Sequence, residues 1–134
     1  MPTNSISFTV YGVPIPKARA RTVRTKNGQS VSYTPKETEA WEQSIQGQAL
    51  QYRPEQLLDR PLILEATFYL LKPKSRPKYE IYPDRKPDLD NLVKCLKDAL
   101  EGVIYTNDSR IVKENLQKVY GDPPRVEVEI REAV

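Results

Sequence analysis

Proline is the residue that most limits how this chain can fold, because 12 of its 134 residues are proline and they fall in clusters. A proline ring fixes φ and removes the backbone N–H, so regular structure must lie between the clusters. The clusters include Pro14 and Pro16 and, in the middle of the chain, Pro73, Pro77, Pro83 and Pro87. The stretches between them are short, and we expect one small domain over residues 1–134 with long polar connections.

The hydropathy of the first half predicts a strand, a helix and a second strand. Residues 5–12 alternate apolar and polar side chains, which is typical of a half-buried strand. Thr34 and Glu37 form a capping box around Pro35, so a helix follows and runs towards the next proline. Residues 61–72 are apolar on nearly both faces, which predicts a central strand.

The second half contains the clearest amphipathic pattern of the chain. Apolar residues recur at helical spacing over residues 89–103, and Gly102 is placed to end this helix in the left-handed conformation. Residues 111–120 and the alternating residues 126–130 predict two final strands. This order is not a regular βαβ alternation. It predicts a small α+β domain, a mixed β-sheet with two main helices packed on one face.

Composition excludes several classes of chemistry. The chain has no histidine and one cysteine, Cys95, so histidine-based catalytic triads, zinc sites of the HExxH type and intramolecular disulfides are absent. A single cysteine is typical of a reducing compartment, and we expect a cytoplasmic protein. The chain lacks a long apolar run and a signal-peptide layout, so no membrane association is expected.

Basic residues are concentrated in two segments, although the net charge is only +3. Residues 17–26 contain five basic and no acidic residues, and residues 72–86 contain six basic and two acidic ones. Such segments favour a polyanionic partner such as nucleic acid, although charge also keeps long loops solvated. Asn27 and Gly28 would close a tight hairpin after the first segment. The candidate phosphate contacts are Lys17, Arg19, Arg21, Lys74, Arg76, Lys78, Arg85 and Lys86.

The start of the second predicted helix combines acidic and basic residues. Asp88 is placed to cap the helix, Asp90 lies in its first turn, and Lys94 follows one turn later on the same face. Acids at a helix N-terminus ordinarily satisfy free N–H groups and the helix dipole. Two acids two residues apart, with a lysine one turn beyond, also suit phosphodiester chemistry.

A third carboxylate, Asp108, lies in the polar turn after the helix. Asp88, Asp90 and Asp108 are the simplest set that could converge on one hard cation, and Mg²⁺ prefers oxygen ligands of this kind. Lys94 would stabilise negative charge that develops on a phosphate. This chemistry needs no histidine.

The same residues resemble RusA-type Holliday junction resolvases. Three stretches carry the resemblance: residues 12–19 (GVPIPKAR), residues 87–100 with the PDLDN motif and Lys94, and residues 107–111 (NDSRI). The resemblance implies a small dimeric fold and an enzyme that uses Mg²⁺ to nick four-way DNA junctions symmetrically. It also implies metal-binding roles for Asp88, Asp90 and Asp108 and a catalytic role for Lys94. The family often has a paired Asp-Asp in the last stretch, where this chain has Asn107 and Asp108.

We therefore expect a homodimeric Mg²⁺-dependent endonuclease for four-way DNA junctions, acting in recombination and repair without a small-molecule cofactor. A metal nuclease for other branched or single-stranded nucleic acids and a non-catalytic DNA-binding module are the alternatives. Asp98 is expected to pair with Lys94 or with a neighbouring chain. Tyr79 and Tyr82 would either anchor their own loop or stack on exposed bases.

Overall fold

A four-stranded mixed sheet forms the frame of the protein in a computed structural model that describes residues 5–18 and 34–134. The elements are β1 (Ser5–Tyr11), α1 (Pro35–Ala49), β2 (Leu62–Leu70), α2 (Leu89–Leu100), β3 (Ile111–Tyr120) and β4 (Arg125–Glu132). The strands lie in the order β1-β4-β2-β3. Strand β4 is antiparallel to both β1 and β2, whereas β2 and β3 are parallel. The predicted order of elements and the mixed sheet are confirmed.

The core lies between one face of the sheet and the two helices. Alternate residues of the strands, such as Phe8, Phe68 and Val128, are buried there together with Trp41 of α1 and Leu96 of α2. The opposite face of the sheet is polar and open. The prediction that β2 is a central strand is confirmed, since it lies between β4 and β3. Its two faces differ, however, in how deeply their side chains are buried. Buried and half-buried residues alternate along β2 because helices cover only one side.

The ends of the helices follow local sequence signals. The side chain of Thr34 accepts a hydrogen bond from the backbone N–H of Glu37 at 3.1 Å, as the capping box predicts. Helix α2 ends at Leu100, before the predicted residue 103, because Glu101 is already extended. Gly102 then has the predicted positive φ, at +83°. The chain turns sharply there into the loop before β3.

The segment after β1 is held between the two helices. The hydroxyl of Thr38 in α1 donates to the carbonyl of Pro16 and accepts from the N–H of Ala18, both at 3.0 Å. The backbone N–H of Lys17 donates to the carbonyl of Asn91 in the first turn of α2, at 2.9 Å. These bonds fix Lys17 beside the region where α2 begins.

Some expectations concern residues 19–33, which lie outside the described residues. They are the hairpin at Asn27 and Gly28 and the phosphate contacts of Arg19 and Arg21, and they stay predictions. In the described part of the chain, no helix is long and apolar enough to cross a membrane.

Candidate active site

Two exposed carboxylates stand at the start of α2. Asp88 occupies the N-cap position with an extended backbone (φ −73°, ψ 141°), and Asp90 lies in the first turn. The Asp88 side chain makes no capping hydrogen bond, although its position is the usual one for it. Capping therefore does not explain this carboxylate, which remains available to a ligand.

Lys94 lies one turn further along α2 with its side chain 58% exposed. Its Nζ is 3.4 Å from Oδ1 of Asp98, so the predicted pairing of these two residues is confirmed. The other oxygen of Asp98, Oδ2, is 3.1 Å from Nζ of Lys17, which in turn lies 2.7 Å from Oε2 of Glu42 in α1. Lys94, Asp98, Lys17 and Glu42 thus form a row of ion pairs with alternating charge that links α2 to α1.

Lys17 is partly buried and paired with two carboxylates, and its contact with phosphate stays a prediction. Partial burial lowers the pKa of its ammonium, but hydrogen bonds to Glu42 and Asp98 offset this and leave the pKa raised overall. The ammonium is therefore charged at neutral pH and already has two carboxylate partners. Sequence reasoning missed Glu42, although one signal was present. It is a charged residue four positions after Thr38, on the helix face that carries Trp41 and Ile45.

Asp108 lies at the other end of α2. Its backbone N–H donates to Oε1 of Glu101, the residue that follows the helix, at 2.8 Å. Twelve residues of α2 span about 18 Å, so the helix separates Asp108 from Asp88. Strand β3 then runs back towards the start of α2. Lys118, near the end of β3, donates to the carbonyl of Pro87 at 2.9 Å.

The expected convergence of three carboxylates does not occur within one chain. Across residues 5–18 and 34–134, no three acidic or other ligating side chains form a group that could hold a metal ion. The reason is topological: β3 is parallel to β2, so the turn before β3 must lie at the end of the sheet where β2 begins. Asp88 and Asp90 alone still fit Mg²⁺, which is commonly held by one or two carboxylates with water and phosphate oxygens.

The segment of residues 72–87, the basic loop, leads directly into Asp88 and Asp90, the acidic pair. The guanidinium of Arg76 makes two hydrogen bonds to Glu80, at 2.8 and 2.6 Å, so it braces the loop, and its contact with phosphate stays a prediction. Nζ of Lys72 donates to the carbonyls of Pro77 and Lys78 at 2.9 and 2.8 Å. The other candidate contacts of this loop are exposed: Lys74, Lys78, Arg85 and Lys86.

Lys118 fixes the end of the basic loop. Its Nζ donates to the carbonyl of Arg85 at 2.6 Å as well as to that of Pro87. The bonds tie the residues just before Asp88 to strand β3. No local pattern pointed to Lys118, because its role depends on which strand lies beside the loop.

The lone cysteine takes no part in this chemistry. Cys95 is buried on α2, and burial raises the pKa of its thiol to about 12. A thiol that stays protonated at neutral pH is a poor nucleophile and a poor metal ligand. The carboxylates and Lys94 are therefore the chemically competent groups of this region.

A family model described as "Endodeoxyribonuclease RusA" matches residues 12–131. The match includes the segment after β1, the acidic pair and the turn with Asp108. The chain belongs to the RusA endodeoxyribonuclease family. Membership of the RusA family indicates a nuclease, and the sheet with two helices is consistent with it.

Two relatives extend the comparison. The uncharacterized protein YqaN of Bacillus subtilis (strain 168) is 38% identical over 137 residues, covering 95% of this chain and 96% of that protein. A protein of Lactococcus phage r1t named crossover junction endodeoxyribonuclease rusA is 36% identical over 93 residues. That alignment covers 66% of the chain described here and 70% of the phage protein.

Proposed function

We propose that this protein is a Mg²⁺-dependent endonuclease that resolves four-way DNA junctions as a homodimer, by paired nicks in recombination and repair. The observation that supports the proposal best is the acidic pair itself. Asp88 stands at a cap position without capping, beside exposed Asp90, at the end of a braced basic loop. A non-catalytic binding module gives no reason for such a carboxylate.

Asp88 and Asp90 would hold the metal ion. When bound, Mg²⁺ polarises a phosphodiester and lowers the pKa of an attacking water. Lys94 lies one turn along the same helix with an exposed ammonium, and it would stabilise the charge that builds up on the phosphate. Asp98 is itself paired with Lys17, so it neutralises Lys94 only in part.

Carboxylates repel the DNA backbone, so the site needs compensating charge. Lys78, Arg85 and Lys86 are exposed on the basic loop that precedes Asp88. Phosphate contacts by such residues position DNA without reading its sequence. The loop would therefore carry the backbone towards the acidic pair.

Resolution of a four-way junction needs two nicks related by two-fold symmetry, and one chain has a single acidic pair. A two-fold dimer, the commonest closed assembly, supplies two such pairs. The dimer also bears on Asp108. Because α2 keeps Asp108 away from its own acidic pair, a metal-binding role requires that it comes from the second copy.

Cleavage of a synthetic four-way junction tests the proposed function. Matched duplex, flap and single-stranded DNA of the same sequence serve as controls, each with and without Mg²⁺. We expect paired nicks in the junction only with Mg²⁺. Equal cleavage of flaps or single strands would identify a nuclease of broader specificity, and binding without any nicking would identify a binding module.

A further inference from the structure

Three apolar side chains project into solvent from the basic loop. Tyr79 is 82%, Ile81 61% and Tyr82 64% exposed. The interpretation that the tyrosines anchor their own loop is therefore wrong. Large apolar groups gathered on one exposed segment commonly mark a contact surface.

The loop that presents these side chains is internally braced. Arg76 donates hydrogen bonds to both carboxylate oxygens of Glu80, and Nζ of Lys72 donates to the carbonyls of Pro77 and Lys78. The N–H of Tyr120 in β3 donates to the carbonyl of Ile81 at 2.9 Å, which fixes the tip of the loop to the sheet. The backbone that carries the exposed rings is thus ordered before any partner binds, which lowers the entropic cost of binding.

The charges around the rings indicate the class of partner. Lys74, Lys78, Arg85 and Lys86 are exposed on the same loop, and the loop ends at the acidic pair. Aromatic rings among basic residues are the usual chemistry for unpaired nucleotides: the rings stack on bases and the cations contact the backbone. An intact duplex offers no free base face, whereas bases at a branch point can be unstacked.

We propose that Tyr79 and Tyr82 stack on bases unpaired or unstacked at the branch point of DNA. This contact makes the protein prefer branched DNA over duplex, while the lysines and arginines bind both. It rests on the proposed function only in taking DNA as the ligand, since it concerns binding and not cleavage.

The test compares affinities for a four-way junction and for duplex of the same sequence, measured with Ca²⁺ in place of Mg²⁺. Replacing both tyrosines (Tyr79→Ala with Tyr82→Ala) should weaken junction binding by about 5- to 150-fold per base stacked and leave duplex binding unchanged. The matched control, Tyr79→Phe with Tyr82→Phe, keeps the rings and should keep the preference. Lys78→Ala should weaken binding to both DNAs alike.

Several outcomes would overturn the proposal. They are an unchanged junction affinity in the alanine variant, an equal loss on both DNAs, a phenylalanine variant that behaves like the alanine variant, or a wild type without junction preference. A shift from dimer to monomer in sedimentation of the alanine variant would show that the patch is a subunit contact instead. Failure of the nuclease proposal looks different: the wild type would prefer junctions but never cut them.

Discussion

At the scale of single residues, the Asp88 carboxylate distinguishes catalysis from capping. Asp88→Asn or Asp90→Asn should abolish Mg²⁺-dependent cleavage while junction binding survives or tightens, because the change removes metal-binding charge and its repulsion of phosphate. Stability should hardly change, since the Asp88 side chain makes no capping bond. Gel assays of nicking and binding, with thermal unfolding, measure all three quantities.

Asp84→Asn is the matched control, because Asp84 is an exposed acid of the same loop outside the pair. It should cut junctions at the wild-type rate. If the Asp88 and Asp90 variants lost folding, binding and cleavage together, the two carboxylates would be structural caps after all.

Gly12, which directly follows β1, is a backbone position that tolerates a side chain poorly. Its φ is +139°, and a Cβ would lie 2.7 Å from Cζ3 of Trp41. Gly12→Ala should therefore lower the free energy of unfolding by about 2–4 kcal/mol, through backbone strain and overpacking. Gly47→Ala in α1, where a Cβ would meet nothing within 4 Å, should instead stabilise slightly. Denaturant unfolding of both variants decides the matter, and equal stabilities would contradict the explanation.

At the scale of elements, the basic loop is where charge should act on DNA. Lys78→Ala with Lys86→Ala should reduce the slope of log affinity against log salt by about one per lost phosphate contact. Arg53→Ala, an exposed basic residue outside the loop, is the control and should leave the slope unchanged. A slope unaffected by the double change would show that the loop faces away from DNA.

Prediction from sequence succeeded where the information is local and failed where it is not. The helix start at Thr34 and the left-handed Gly102 depend on a few neighbouring residues, and both were predicted. The distance of Asp108 from the acidic pair depends on parallel pairing of β2 and β3, which are separated by the whole of α2. Lys17 likewise looked like a free cation until α1 placed Glu42 beside it. A local pattern contains neither of these facts.

At the scale of the whole molecule, the position of Asp108 makes the proposed dimer testable by mixing variants. Asp90→Asn and Asp108→Asn should each be inactive alone. If Asp108 completes the site of the partner, a hybrid dimer has one site with both native carboxylates and one site with neither. The mixture should then regain nicking of one strand without paired resolution.

If Asp108 acted within its own chain, every site of the hybrid would lack one carboxylate and the mixture would stay inactive. Hybrids must therefore be shown to form, by native mass spectrometry of the two variants with distinguishable masses. Nicked but unresolved junctions, seen only in the mixture and only with Mg²⁺, are the expected result. Inactive mixtures with hybrids present would show that Asp108 does not complete the partner's site, and an Asp108→Asn variant that still cuts junctions alone would remove Asp108 from the metal site. Monomers at micromolar concentration with and without junction DNA would contradict the dimer. The separation of Asp108 from Asp88 by the length of α2 is what makes these outcomes distinguishable, because no movement of the Asp108 side chain alone spans about 18 Å.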